Sequence, residues 1–230
     1  MRKTLFALLL LLAVLEVQSQ VLISLLLGDK LNSDGIEFGL EGGLNWSHIS
    51  NMETDRYLPN FNLGFYFDIR MKDQWNLYTG VLVKSGLGTD HLSEEDLQFL
   101  EAEIYDDPGD YSQKMNCFLV PVLVKYKFRN HMYCEAGPQF GLIYQSWVEF
   151  NSDTEEKDIR IREYNNDMTN WFEAGLMAGA GYTLLKGTGM SLGVKYYYGL
   201  TTIYKDRPGA TNSSFFLKMN VPIGAGKSRK

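Results

Sequence analysis

From Phe61 to Met71 every second residue is large and apolar: Phe61, Leu63, Phe65, Phe67, Ile69 and Met71. Asn62, Gly64, Tyr66, Asp68 and Arg70 stand between them. Successive side chains of an extended chain point to opposite sides, so a strict period of two specifies a strand with one apolar and one polar face. The alternation returns at 36–47, 75–87, 115–128, 131–150, 171–184, 190–203 and 214–224, which with 60–71 makes eight strands. Pro121 has no amide to donate and predicts a bulge or gap in the ladder of 115–128.

The connections sort by length. Tight turns are expected at 72–74, 129–131 and 185–189, whereas 48–59, 88–114, 151–170 and 204–213 are long. Antiparallel strands with short turns at one end and long loops at the other close into an up-and-down barrel. The expected fold is therefore all-β, an eight-stranded antiparallel barrel over residues 36–224.

A barrel in water hides its apolar face, and a barrel in lipid exposes it. The polar face here carries many glycines and a small, balanced set of charges. Glu37, Glu41, Asp68, Glu135, Glu149 and Glu173 stand against Arg70, Lys84, Lys125, Lys195 and Lys218. Opposite charges separated by glycines suit a narrow interior in which ions must be paired, so these residues are expected to form a lumen charge network. With Tyr66, Tyr78, Met177 and Tyr197 beside them they would fill a barrel of the OmpA and OmpX size class. Trp46, Trp75, Tyr126, Phe128, Tyr182 and Tyr198, near strand ends on the apolar face, suit an interfacial girdle. A strand of about 10 residues tilted by about 40° rises about 25 Å, the height of a lipid-facing band. These features favour a transmembrane barrel. The alternative is a secreted lipocalin-like barrel with an apolar ligand inside.

The 230 residues are 45% hydrophobic with a net charge of −6. Their mean hydropathy is −0.20, which does not suit a helical membrane bundle. The mild acidity argues against a nucleic-acid partner. Arg2 and Lys3 followed by the apolar run Leu5 to Leu15 read as an export signal at 1–19. Residues 20–35, with the apolar patch VLISLLL, would lie in the periplasm or against the barrel base, and 225–230 form a polar tail. Cys117 falls on the polar face and Cys134 on the apolar face, so no bridge is expected between them.

GLEGGLNWSHIS (39–50), FLVPVLVKYKF (118–128) and YCEAGPQFGLIY (133–144) resemble the outer-membrane β-barrel proteins of the PorT-like or "porin family" type found in Bacteroidetes-type bacteria. The resemblance spans essentially the whole exported chain. It implies residence in a Gram-negative outer membrane, contact with outer-membrane lipid and lipopolysaccharide, and a role in an envelope or secretion-associated complex.

The loop at 88–114 is strongly acidic. Ser93-Glu94-Glu95-Asp96 has the form of a capping box, and Leu97, Leu100 and Ile104 then share a helical face. With Glu101 and Glu103 they are candidates for binding an envelope protein partner. The competing reading is an acidic cap folded onto 151–170, near Lys157, Arg160 and Arg162. His48 beside Ser47 and Ser50 is the nearest approach to a nucleophile and base, and no GxSxG, HExxH, phosphate loop or CxxC is present. The expectation is a non-enzymatic barrel with no cofactor or metal that acts through its loops. A narrow pore for small solutes or ions is the second reading.

Overall fold

The computed structural model describes residues 35–154, 157–184 and 189–223. The expected leader, the segment before Gly35, most of the turn at 185–189 and the polar tail lie outside the described residues. The strands are β1 (Ile36–Ile49), β2 (Arg56–Lys72), β3 (Trp75–Asp90), β4 (Asp110–Lys127), β5 (Met132–Thr154), β6 (Lys157–Tyr164), β7 (Phe172–Thr183), β8 (Ser191–Gly199) and β9 (Asn212–Pro222). A short helix, α1 (Glu94–Phe99), lies between β3 and β4. Among the described residues no helix is long and apolar enough to cross a membrane.

Every neighbouring pair is antiparallel, and the ring runs β1–β2–β3–β4–β5–β7–β8–β9. It closes where β9 returns to β1, from Gly39 opposite Pro222 to Ile49 opposite Asn212. The eight expected strands are thus the barrel wall. The stretch 151–170 differs from the long loop expected, because β5 continues to Thr154 and turns back as β6, pairing from Trp147 opposite Tyr164 to Thr154 opposite Lys157. The short alternation Ile159, Arg160, Ile161, Arg162 supplies the two faces of this hairpin.

The apolar residues of the wall face outward. Leu44, Phe118, Phe140, Leu142, Leu176, Leu192, Val194, Leu217 and Met219 are all exposed, whereas Glu41, Asp68, Lys125, Glu135, Lys195 and Lys218 are buried. On β4 the outward apolar run from Phe118 to just past the strand at Phe128 covers about 33 Å, or about 25 Å along a membrane normal at about 40° tilt. Trp75 and Tyr126 pack edge to face at its short-turn end, with centroids 4.8 Å apart. Pro121 causes no slip, since Thr79 opposes Val122 and Leu82 opposes Leu119 in one register, but the pairing with β3 is interrupted between them, at Val120 and Pro121, as the gap expected there.

Two bulges beside Cys117 reverse the faces of the residues beyond them, and β2 carries further register shifts against β3 between Tyr57 and Leu63 and between Arg70 and Lys72. In β3, Leu82 opposes Leu119 and Ser85 opposes Cys117, so Val83 and Lys84 together oppose Phe118 and both face out. In β5, Ile143 opposes Cys117 and Gln145 opposes Asn116, so Tyr144 is the extra residue. Beyond it Val148 and Phe150 turn inward, and Trp147 and Glu149 turn to the outer side.

The glycines of the polar face make room for rings laid across the lumen. A Cβ on Gly193 would lie 2.3 Å from the Tyr133 hydroxyl, and its next neighbours are the Ala180 carbonyl at 3.1 Å and Lys218 Cε at 3.3 Å. Gly193→Ala is expected to destabilise the barrel by about 1–3 kcal/mol through overpacking. Adding Tyr133→Phe, which deletes the clashing oxygen, should recover part of the loss in urea unfolding from lipid vesicles. Equal stability of Gly193→Ala and the parent would contradict this packing.

Candidate functional site

The lumen is filled in layers. At the short-turn end the Tyr66 hydroxyl donates to Glu37 at 2.9 Å. Asp68 accepts from Lys125 and Lys127, each at 3.0 Å, and from Asn76. Next, Lys195 donates to Glu41 at 2.6 Å, Lys218 donates to Glu135 at 2.5 Å, and Tyr78 donates to Glu41. Asn220 donates to the Tyr78 hydroxyl at 2.8 Å. Rings line the same cations: Lys218 lies 4.1 Å from the Tyr78 centroid and Lys125 4.1 Å from that of Tyr133. Buried ions have lost their hydration, and this combination of opposite charge, hydroxyl donors and ring faces replaces it.

Higher in the barrel amides and hydroxyls take the place of the ion pairs. Asn62 donates to Asn45 at 2.9 Å, and Asn45 donates to Ser214 at 3.1 Å. Glu173 shares the lumen but makes no ion pair among the described residues, and Asn212 donates to it at 2.6 Å. Above lie Leu82, Leu87, Met115, Cys117, Leu119 and Ile143, an apolar core continuous with the loops.

Those loops close the upper mouth. Ser93 and Asp96 form the expected capping box of α1. Leu97 and Leu100, 2% and 3% exposed, point down into the core. This corrects their reading as partner-binding residues, since the apolar face of the helix is spent on plugging the barrel. Ile104 is 52% exposed, and Glu101 and Glu103 are also exposed. Asp96, fully buried, accepts from the backbone amides of Glu53 at 3.0 Å and Thr54 at 3.2 Å and faces Arg207 Nη1 at 3.5 Å. It joins three loops far apart in sequence. Arg207 also lies 4.7 Å from the Phe99 centroid, and Phe99 packs edge to face on Tyr204.

Of the expected lumen network, Glu41, Asp68, Lys125, Glu135, Lys195 and Lys218 are brought into ion pairs, Glu37 is at the mouth, and Glu173 stands apart. Three members are placed elsewhere. Arg70 is exposed at the short-turn end. Lys84 is outside because the β3 bulge reverses its face, and its ammonium lies 5.9 Å from the Phe61 ring. Glu149 is outside for the same reason in β5, where Lys114 Nζ at 2.5 Å and Arg162 Nε at 2.7 Å hold it. Lys127, Tyr133, Asp96, Lys114 and Arg207 were not expected in these roles. The acidic loop does fold onto the hairpin, but through the Glu103 amide and the Tyr105 hydroxyl, each donating to Glu163 at 3.0 Å, while Arg160 and Arg162 serve Glu149. Cys117 is a buried free thiol and Cys134 an exposed one.

Breaking one buried pair leaves its partner uncompensated. Lys195→Met is expected to cost about 3–5 kcal/mol, and Glu41→Gln with Lys195→Met to recover most of it, measured as the shift in the urea midpoint. An unchanged midpoint for Lys195→Met would contradict the pairing. Glu149 sits above the lipid-facing band, so its titration is readable in water. Burial alone would raise its pKa, but hydrogen bonds from Lys114 and Arg162 and the Lys114 charge bring it from 4.5 down to about 2. A carboxylate with a depressed pKa stabilises the folded form fully above its ordinary value and loses that contribution as the acid form fills. Hydrogen exchange at β6, corrected for intrinsic rates, should therefore accelerate as pH falls from 4.5 toward 2. Glu149→Gln should abolish that dependence.

Among the described residues no cluster of three or more metal-ligating side chains occurs. No curated protein matches the chain by sequence. Solved structures with a similar arrangement include the attachment invasion locus protein Ail of Yersinia pestis, at 11% identity and a TM-score of 0.47, covering 83% of this chain and 100% of that one. Neisserial surface protein A is similar at 10% identity and a TM-score of 0.41, covering 83% and 99%. OprG of Pseudomonas aeruginosa is similar at 12% identity and a TM-score of 0.39, covering 82% and 93%. The sequence family described as outer membrane protein beta-barrel domain matches residues 19–205. With its apolar wall turned outward and its ring closed, the chain belongs to that family and resides in the outer membrane.

Proposed function

We propose that this protein is a closed, non-catalytic barrel that acts through its loop end, as an adhesion, envelope-integrity or secretion-associated component. The observation that carries the reading is the double filling of the lumen. Paired ions and tyrosines occupy the lower half, and Leu97 and Leu100, held by the Asp96 contacts, stopper the upper half. In the usual orientation of such barrels, with short turns periplasmic, the cap and the β5–β6 hairpin face the exterior. Ile104, Glu101 and Glu103 remain on the exposed surface of the cap and are the residues proposed to meet a protein partner. The narrower resemblance to PorT-like proteins rests on 39–50, 118–128 and 133–144 and favours the secretion-associated form of this role.

A filled lumen predicts electrical silence. Reconstituted in planar bilayers, the full chain is expected to show no discrete conductance steps, and Leu97→Asp with Leu100→Asp to remain silent because the lower ion layer is untouched. Reproducible steps from the parent protein would replace this reading with the narrow pore. A photoreactive side chain at Ile104 should crosslink a partner in intact cells, whereas one at the buried Leu97 should not.

A further inference from the structure

A groove of about 490 Å³ opens in the outer wall at the short-turn end, a volume in the range of sites that hold an occupant. Met132 of β5, Ala180 and Tyr182 of β7, Leu192 and Val194 of β8 and Leu217 of β9 line it. Ala180 stands next to Tyr182 on the outer face of β7, and the difference in their sizes makes the hollow. At its floor Gly181 opposes Gly193, and neither has room for a side chain, because a Cβ on either would lie 2.3 Å from the Tyr133 hydroxyl inside the barrel. We propose that residues 21–27, VLISLLL, dock in this groove and brace the short-turn rim of the barrel.

Reach is the first argument. The chain enters the wall at this rim, where the Arg70 amide donates to the Gly35 carbonyl at 2.7 Å and Ile36 opposes Ile69. From β1 the ring passes through β9 and β8 to β7, three strand spacings or about 14 Å. Residues 28–34, GDKLNSD, form a polar connector whose seven residues can span up to about 23 Å. The strand ends also crowd together here. A Cβ on Gly189, just before β8, would lie 2.8 Å from Pro222 Cγ of β9 and 3.5 Å from Glu37 Oε2 of β1. The start of β1 is thus close to Leu192, and the apolar run is long enough on its connector to lie across the groove.

The chemistry agrees. Of residues 21–27 only Ser24 is polar, and leaving the other side chains in water forfeits the gain that their burial provides. The family match from residue 19 onward takes in this run, so it belongs with the barrel domain. The groove is apolar apart from Asn130, which stands in the turn before β5 and marks its lower edge. Met132, Tyr182, Leu192, Val194 and Leu217 are all exposed there. Beside a turn residue and an interfacial tyrosine, a bilayer presents headgroups rather than acyl chains, and headgroups do not suit an apolar groove. Apolar side chains carried on a polar connector do suit it.

A native cysteine serves as the reporter. Cys134 opposes Ala180 and is an exposed free thiol, whereas Cys117 is buried. The full chain carrying Ser24→Cys is purified from outer membranes, reconstituted in vesicles of phosphatidylethanolamine and phosphatidylglycerol, and oxidised with copper phenanthroline. Docking predicts a disulfide within one chain between the introduced thiol and Cys134, read as loss of maleimide labelling and as a linked peptide pair in mass spectrometry. Ser33→Cys lies two residues from Gly35, so within about 7 Å of it, and should keep both accessible thiols. Ala180→Trp fills the groove, and added to Ser24→Cys it should abolish the link while the barrel still changes mobility on boiling. Absence of the link from Ser24→Cys in such a folded barrel would overturn the proposal and leave the groove to lipid. An equally strong link from Ser33→Cys would contradict it too, as would a purified chain that begins after Leu27. Links found only between chains would assign the groove to a second copy and refute docking of 21–27. Every arm is read on a folded barrel, so failure here leaves the closed-barrel reading standing.

Discussion

A strand surrounded by hydrocarbon has no water for its amide groups, and that constraint shapes this molecule more than any other. Each unpaired N–H or C=O in lipid costs several kcal/mol, so a sheet that enters a membrane must have no edge. Here the requirement is met at the seam between β1 and β9, where the last strand pairs with the first from Gly39 to Ile49. Closure at eight strands then fixes the diameter, and the diameter fixes the contents. Such a lumen holds side chains and little else. The charges pointing into it must pair, as Glu41 does with Lys195 and Glu135 with Lys218, and backbone positions such as Gly193 must give up their side chains to admit Tyr133.

The same strands change character above the lipid. Bulges in β3 and β5 on either side of Cys117 reverse the faces of the residues beyond them. By that reversal Val148 and Phe150 join the apolar core beneath α1, while Trp147 and Glu149 move outside to gather Lys114 and Arg162. One irregularity thus completes the stopper and builds the outer charge cluster.

Much of the architecture was legible in the sequence because a period of two is a local property. The alternation in 36–47, 60–71 and 190–203 needs no distant information to declare two faces, and the contrast of short and long connections supplies the topology. The placement of Lys84 and Glu149 was not legible. A bulge depends on how two strands pair, and their alternation reads identically with or without it until Tyr144 or Val83 is counted against a partner. The capping box at Ser93 was visible in four residues, but the contacts of Asp96 to Glu53, Thr54 and Arg207 join segments that only the closed barrel brings together. The β5–β6 hairpin was obscured by charged residues at 157–164, whose strand character comes from pairing with β5.

The central claim is a closed barrel with lipid outside and paired ions within. Gel migration of the membrane fraction in mild detergent, with and without boiling, tests it most directly, because a closed barrel stays folded unboiled and runs at a different apparent mass from the unfolded chain. The account predicts a membrane-bound protein whose mobility changes on boiling. A protein found in the soluble fraction, migrating identically before and after boiling, would mean that the apolar wall does not face lipid and that the assignment of faces is wrong.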